Sequence, residues 1–415
     1  MSKVNDFFKT YNEKIIILFL FLCPVIDIIT SFFVNVFYVD LTLGIVLKTI
    51  FGFYMIYYLL FIFKGNKRYL YFYATVLLIY FLLYFYFSGF SFGEVQFIFK
   101  VFYFPLSLIF LFITKNDYKF SYKLFSYLFL LYLVFLFIPI VLNMGFESYD
   151  IAKSGSAGLF NSANEIGGIL TILFPMFLYN FIKNIKDKRM FFMSIIGLFM
   201  YFYTILSIGT KAPVLGFALT IIGFVIYYFY KFIKAKKVRD SIILISSVLL
   251  LFMLSIFIIP KTTFYKNILI HMNHFNINSF SEVFTSFENV DNIIFSERLS
   301  LLKENYNSFN DNLIFGTSFI EEGSVVKTVE IDYFDILFTF GILGFILFFT
   351  PLIYVLYLFI KKKIKFNISY FLSLLLAVIL AFFTGHIFIV PTVSFIVSLL
   401  ICKGGEYEKN NNFKS

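Results

Sequence analysis

Twelve apolar runs, each about the length of a bilayer-spanning helix, take up most of this 415-residue chain and leave room for one sizeable polar segment. They fall at 15–36, 41–63, 69–90, 94–114, 120–143, 162–182, 190–208, 213–233, 241–259, 332–360, 367–384 and 386–402. A span needs about 20 apolar residues, because the hydrocarbon core is about 30 Å thick and a helix rises about 1.5 Å per residue. No water reaches that core to satisfy backbone N–H and C=O groups, so runs of this length pair them internally as helices. The expected fold is all-α: a polytopic membrane protein of about 12 transmembrane helices, with one large extracytoplasmic loop between spans 9 and 10. Composition agrees, at 60% apolar and only 14% charged, against about 25% charged in soluble domains. A soluble globule, a disordered chain, a coiled coil and a nucleic-acid-binding module are excluded. The first run lacks a small-x-small cleavage pattern after it and reads as a permanent span.

Orientation follows from the basic residues between the runs. With the N-terminus in the cytoplasm, the inner segments hold 25 of the 34 Lys and Arg residues, and the alternation holds across all twelve runs. Both ends are then cytoplasmic, in a plasma (inner) membrane. The net charge of +10 is explained by topology, with no nucleic-acid partner. The chain divides into helices 1–9 over 1–259, a loop domain over 260–331, helices 10–12 over 332–402 and a cytoplasmic tail over 403–415. The loop is far longer than a connection requires, and long loops tend to carry function. No nucleotide-binding motif is present. Cys23 and Cys402 are isolated, and His271 and His274 have no Cys or acid at ligand spacing, so no metal or other cofactor is expected.

Ionisable groups inside apolar runs are costly and usually mark sites. Asp27, Lys48 and Lys100 all fall in the outer halves of their spans. An ion pair that locks the bundle and a polar pocket for an anionic head group both fit them. Lys211 lies in the outer turn Gly209-Thr-Lys-Ala212, as a snorkelling interfacial lysine or as an anion ligand. In the loop, Phe295–Phe309 reads as an amphipathic helix, with Leu299, Leu302, Tyr306 and Phe309 at helical spacing. Arg298 in its first turn has no acid at three or four positions either way. A fixed, permanently charged fork suits a phosphate or a distant salt bridge. Asp332 and Asp335, three apart at the mouth of span 10, share a helix face, with Glu330 close by. Crowded carboxylates there suit general-base work, and acids also simply cap a helix N-terminus. His386 lies in the last outer turn and reads as an interfacial residue.

Four stretches give the chain its resemblance to the O-antigen ligase and polymerase family of bacterial cell-envelope polysaccharide assembly. Gly158-Leu-Phe-Asn161-Ser-Ala-Asn164-Glu165 resembles the family's Gly-x-Phe-x-x-x-Asn segment. Ser207-Ile-Gly-Thr-Lys211 resembles its Ser-x-Gly-Ser-Arg turn. Glu297-Arg298, followed by Asn312-Leu-Ile-Phe-Gly316, is similar to its Arg…Gly-x-Gly portion. Glu330 through Gly341-Ile-Leu-Gly344 is similar to its His-Asn-x-Tyr-x-x-x-Leu-x-x-x-Gly-x-x-Gly segment. Two departures matter. Lys211 stands where the family usually has Arg, which keeps the charge and loses the bidentate fork. Glu330 stands where the ligases carry a His, so a histidine base is not carried over. The acidic version looks more like polymerase-like members of Gram-positive bacteria.

The resemblance implies a metal-independent glycosyltransferase acting outside the membrane. The donor would be a glycan on undecaprenyl diphosphate. The acceptor would be a hydroxyl of another lipid-linked repeat or of a different carrier, with other polysaccharide assembly proteins as partners. Arg298 and Lys211 would hold the diphosphate, with Lys48 and Lys100 behind them. Glu330, Asp332 or Asp335 would be the base, and Asn161 and Asn164 would bind sugar hydroxyls or cap span 6. The rival reading is a flippase or transporter of the same lipid-linked glycan. It lacks a repeat of two halves and has no evident use for so long a loop.

Overall fold

In a computed structural model the chain is a bundle of long helices with a small helical cap packed on one end. The structure describes residues 2–39, 43–115, 117, 118, 120–148, 154–235, 246, 258–321, 324, 325, 328–361 and 366–404. α1 is Ser2–Asn35. α2, Leu43–Tyr57, runs on through a π-helical turn at Tyr58–Ile62, and α3 is Arg68–Ser88. α4, Phe92–Val101, and α5, Tyr103–Thr114, make one span interrupted at Phe102. α6 is Tyr122–Val141. A short hairpin follows, β1 Phe146–Glu147 with β2 Ser156–Gly158. Then come α7 Ala163–Lys183, α8 Lys188–Ile208 and α9 Lys211–Lys234. The cap holds α10 Thr263–His274, the short α11 Phe287–Val290, α12 Arg298–Asp311 and the hairpin β3 Ile320–Glu321 with β4 Ser324–Val325. α13 Asp332–Lys361, α14 Ile368–Phe383 and α15 Pro391–Gly404 complete the bundle.

Nine helices among the described residues are long and apolar enough to cross a membrane, and α14 and α15 are shorter apolar helices. The predicted span at 241–259 lies almost wholly outside the described residues. So do the inner basic residues at 236–239 and 362–365 and the tail beyond 404. Each of the other predicted runs holds a helix. α7 and α15 form the centre; every residue of α15 is buried. Aromatic side chains fill the space around them. Phe19 stacks on Phe51 with centroids 3.9 Å apart, and Phe129 stacks on Phe177 at 4.6 Å. Phe53, Phe72, Leu82, Phe192 and Ile226 point outward. Lipid is as apolar as these residues, so the bundle is held by close packing and interhelical hydrogen bonds more than by their burial.

Two helices start at Ser-x-x-Glu, the pattern in which a serine accepts from the backbone three residues on and the glutamate reaches back. Ser91 accepts from the N–H of Glu94 at 3.1 Å, and Ser162 from that of Glu165 at 3.3 Å. Neither glutamate completes the box. The Glu94 carboxylate takes the hydroxyl of Tyr84 and, at 3.1 Å, the N–H of Phe319, which ties the β3–β4 hairpin to the bundle.

α13 is broken at Gly341, where φ is +66° and ψ −177°. Residues 312–317 lie across the break. Ile342 N–H donates to the Leu313 carbonyl at 2.9 Å, and Thr317 N–H donates to that of Phe338 at 2.8 Å. The groups released by the break are therefore paired, as a water-free setting demands. A Cβ on Gly341 would lie 2.2 Å from the Ile314 carbonyl oxygen, and one on Gly316, at φ +83°, 2.4 Å from that of Thr339. These glycines seat the cap against the broken helix.

Candidate active site

The amphipathic helix expected around Phe295–Phe309 is α12, with Phe309 buried and Tyr306 turned out. Its N-terminus is built by an abrupt turn. Ser296 and Glu297 both have left-handed backbones, at φ +57° and +65°, which residues other than glycine seldom adopt. Asp291 stabilises that turn by accepting from the N–H groups of Leu299 and Ser300, both at 2.9 Å, and from the Ser300 hydroxyl. Lys211, the first residue of α9, grips the turn from the bundle side. Its ammonium donates to the Ile293 carbonyl, to Ser296 Oγ at 2.9 Å and to the Ile294 carbonyl at 3.4 Å. So pinned, Arg298 reaches across to the end of α14. Nη1 donates to the Phe383 carbonyl at 2.5 Å and Nη2 to Glu330 Oε2 at 2.6 Å. Its Nε is buried with no hydrogen-bond partner. The fork thus has a buried donor still to satisfy.

The three crowded carboxylates have three different tasks. Asp332 is fully buried and accepts the N–H groups of His386, Ile387 and Phe388 at 2.6, 2.8 and 2.6 Å. It fixes the turn between α14 and α15. Asp335, also buried, accepts from Val329 N–H at 2.7 Å. Both carboxylates are spent on backbone that would otherwise be unpaired. Glu330 lies before the helix, at φ +59°. Gly385 is pressed against it, since a Cβ there would stand 2.5 Å from the Glu330 carbonyl oxygen. Glu330 alone of the three stays open, with 44% of its side chain accessible.

That contact brings in His386, at φ +63° on the turn that Asp332 holds. The charges acting on its imidazole are Glu330, Lys100 and Arg298. Burial, the largest influence, pushes its pKa below the usual histidine value; Lys100 and Arg298 push the same way and Glu330 opposes them. The imidazole makes no hydrogen bond among the described residues.

Lys100 connects this mouth to a deeper polar layer. It is exposed and lies within electrostatic reach of Glu165, Lys48 and Asp332. Lys48 pairs with Asp27 at 3.1 Å. Glu165, in the first turn of α7, feels Lys48, Asp27 and Lys100, and its Oε1 is buried without a partner. The Tyr132 hydroxyl, also buried and unpartnered, lies within electrostatic reach of Asp27 and Glu165. Asn161 accepts from Asn35 at 3.2 Å. Asn164 makes no hydrogen bond among the described residues. The cap on α7 is Ser162, so neither asparagine serves as that cap.

The structure therefore pairs Arg298 with Glu330, sets Lys100 within electrostatic reach of the same His386, and pairs Lys48 with Asp27. Lys211 stands behind Arg298, with its donors on backbone oxygens and Ser296. Asp332 and Asp335 act on backbone. The predicted set missed two residues. Glu165 carried a signal, as a carboxylate at the start of an apolar run. His386 carried only its place in a turn.

The fold defines a many-helix membrane protein with charged side chains gathered between the cap and the bundle. A family model described as O-antigen ligase like membrane protein matches residues 9–282 and 281–403. The chain belongs to that family, and is therefore a glycosyltransferase-like membrane enzyme of polysaccharide assembly. No curated protein and no solved structure matches the chain.

Proposed function

We propose that the protein polymerises or ligates oligosaccharide repeats carried on undecaprenyl diphosphate, at the outer face of the plasma membrane. The observation that carries this reading is Arg298. Its guanidinium is held by the Phe383 carbonyl and Glu330, beside a turn that Asp291 and Lys211 pin, has an unsatisfied Nε, and acts on His386 together with the exposed Lys100. Two cations at a membrane-embedded mouth suit a lipid diphosphate. They act where charge develops as it leaves, which is electrostatic stabilisation of the transition state. The acceptor oxygen bonds to the anomeric carbon while the carbon–oxygen bond to the diphosphate breaks, and attack opposite the leaving group inverts that carbon. Of the three carboxylates, Glu330 is the one still open to the acceptor side. The chain would cross the membrane twelve times, with both ends in the cytoplasm, the cap outside and other assembly proteins as partners.

The test is glycan chain length in the envelope of the source organism, with the chain deleted and then restored as wild type or Arg298→Ala. Loss of long chains with single repeats accumulating outside supports a polymerase. Long chains stranded on the lipid carrier support a ligase. Repeats trapped on the cytoplasmic side sink the transferase reading in favour of a flippase. Retained anomeric configuration in the product would refute direct displacement.

A further inference from the structure

We propose that His386 is the residue that takes the acceptor's proton, and that Glu330 is its positioning partner. This rests on the glycan-transfer reading above.

Four elements converge to place this side chain. Asp332 of α13 accepts three consecutive backbone N–H groups, the first that of His386 itself, so the turn cannot drift. Gly385 lets that turn approach the backbone of Glu330. Arg298 of α12 clamps the same place from the cap, through the Phe383 carbonyl and the Glu330 carboxylate. Lys100 of α4 lies within electrostatic reach of it. The left-handed backbone at His386 is a conformation that persists only where its surroundings over-determine it. Here the surroundings do so and leave the side chain without a hydrogen bond among the described residues.

The alternatives are otherwise engaged. Asp332 and Asp335 hold backbone, and Glu330, paired with Arg298 until the diphosphate takes its place, acts on the imidazole. The imidazole is half-buried, sits among the cations expected to hold the diphosphate, and has a nitrogen lone pair to offer. In the step, the acceptor O–H gives its proton to that nitrogen. The oxygen's electron pair forms the bond to the anomeric carbon, and the electrons of the breaking carbon–oxygen bond go to the diphosphate. The imidazolium returns its proton to water after the product leaves. When the diphosphate engages Arg298, the Glu330 carboxylate is released toward His386 and stabilises the cation that forms there.

The groups acting on His386 are Glu330, Lys100 and Arg298, with Asp332 on its backbone. The reaction needs the neutral imidazole, so its rate falls as pH drops through the histidine's pKa. The experiment uses the full-length protein in liposomes with the lipid-diphosphate-linked repeat extracted from a deletion strain. Wild type is compared with His386→Asn, which suits a left-handed backbone and has no base at neutral pH, and with His386→Gly, which leaves room for added imidazole. The expected result is a loss of roughly a hundredfold or more in His386→Asn. The acid limb should disappear from its residual rate, its melting temperature should be unchanged, and imidazole should raise the rate of His386→Gly only. A His386→Asn variant within about threefold of an active wild type, or one that keeps the same acid limb, overturns the assignment of His386 alone. A wild type that leaves the repeat unextended overturns the transfer reading instead.

Discussion

Two ion pairs in this molecule use the same chemistry for different ends. Lys48 and Asp27 join two helices that are neighbours in sequence, at 3.1 Å, with both side chains mostly buried. Arg298 and Glu330 join the cap to the mouth of α13 at 2.6 Å, and the carboxylate stays largely open. Breaking the first leaves a mostly buried charge without its ion-pair partner. Breaking the second is easy for any anion that can offer Arg298 two oxygens. The deep pair is therefore suited to holding helices together, and the mouth pair to being exchanged for substrate.

The largest effect expected from that contrast is Arg298→Ala. Extension of the lipid-linked repeat in membranes should fall by about 10²–10³-fold, the usual cost of a lost charge-stabilising donor. Arg298→Lys, which keeps the charge and loses the fork, should recover part of that loss. An active Arg298→Ala would end the comparison. Next is Lys48→Met. It strands the Asp27 carboxylate and should lower stability in detergent by about 3–5 kcal/mol, while the double variant Lys48→Met/Asp27→Leu should recover most of it. If the double variant folds but extends no glycan, the deep pair belongs to the site. Gly341→Ala should cost about 2 kcal/mol or more from backbone strain alone. Its readout is a lower melting temperature together with slower extension, because the cap that carries Arg298 is seated there.

The smallest effect is on pH dependence. Burial, Lys100 and Arg298 depress the pKa of His386 while Glu330 raises it. The acid limb of the rate should therefore lie below the ordinary histidine value of about 6.5. Glu330→Gln removes the opposing influence, so its acid limb should move to still lower pH. A shift upward would mean that Glu330 does not act on the imidazole.

The deep pair was legible in the sequence because its members stand alone in apolar runs, where any charge is conspicuous. Arg298 was legible for a related reason: it had no acid within helical reach, and its partner Glu330 is 32 residues away. The family motifs gained physical meaning in the fold, since Gly316 and Gly341 mark where the cap crosses a broken helix. What the sequence hid was partnership between distant segments. The spacing of Asp332 and Asp335 was read correctly as the start of one helix. Their task depended on N–H groups at Val329 and at 386–388, which no local pattern shows. Glu165 opens an apolar run, and only the fold places its carboxylate among the charges inside the bundle. His386 looked like an interfacial residue because the elements that surround it, at 100, 298 and 330, are brought to it only by folding.

The grip of Lys211 on the turn before Arg298 has a consequence for how this enzyme family member can vary. Arg298 takes its place from the rim of α9, through the bonds of the Lys211 ammonium to Ile293, Ile294 and Ser296, more than from the length of chain leading up to it. Insertions or deletions around Asn276–Thr285 should therefore leave the cation at the same stand-off from the bundle. The protein carries its own gauge for how far the proposed lipid-borne phosphate would have to rise to be met.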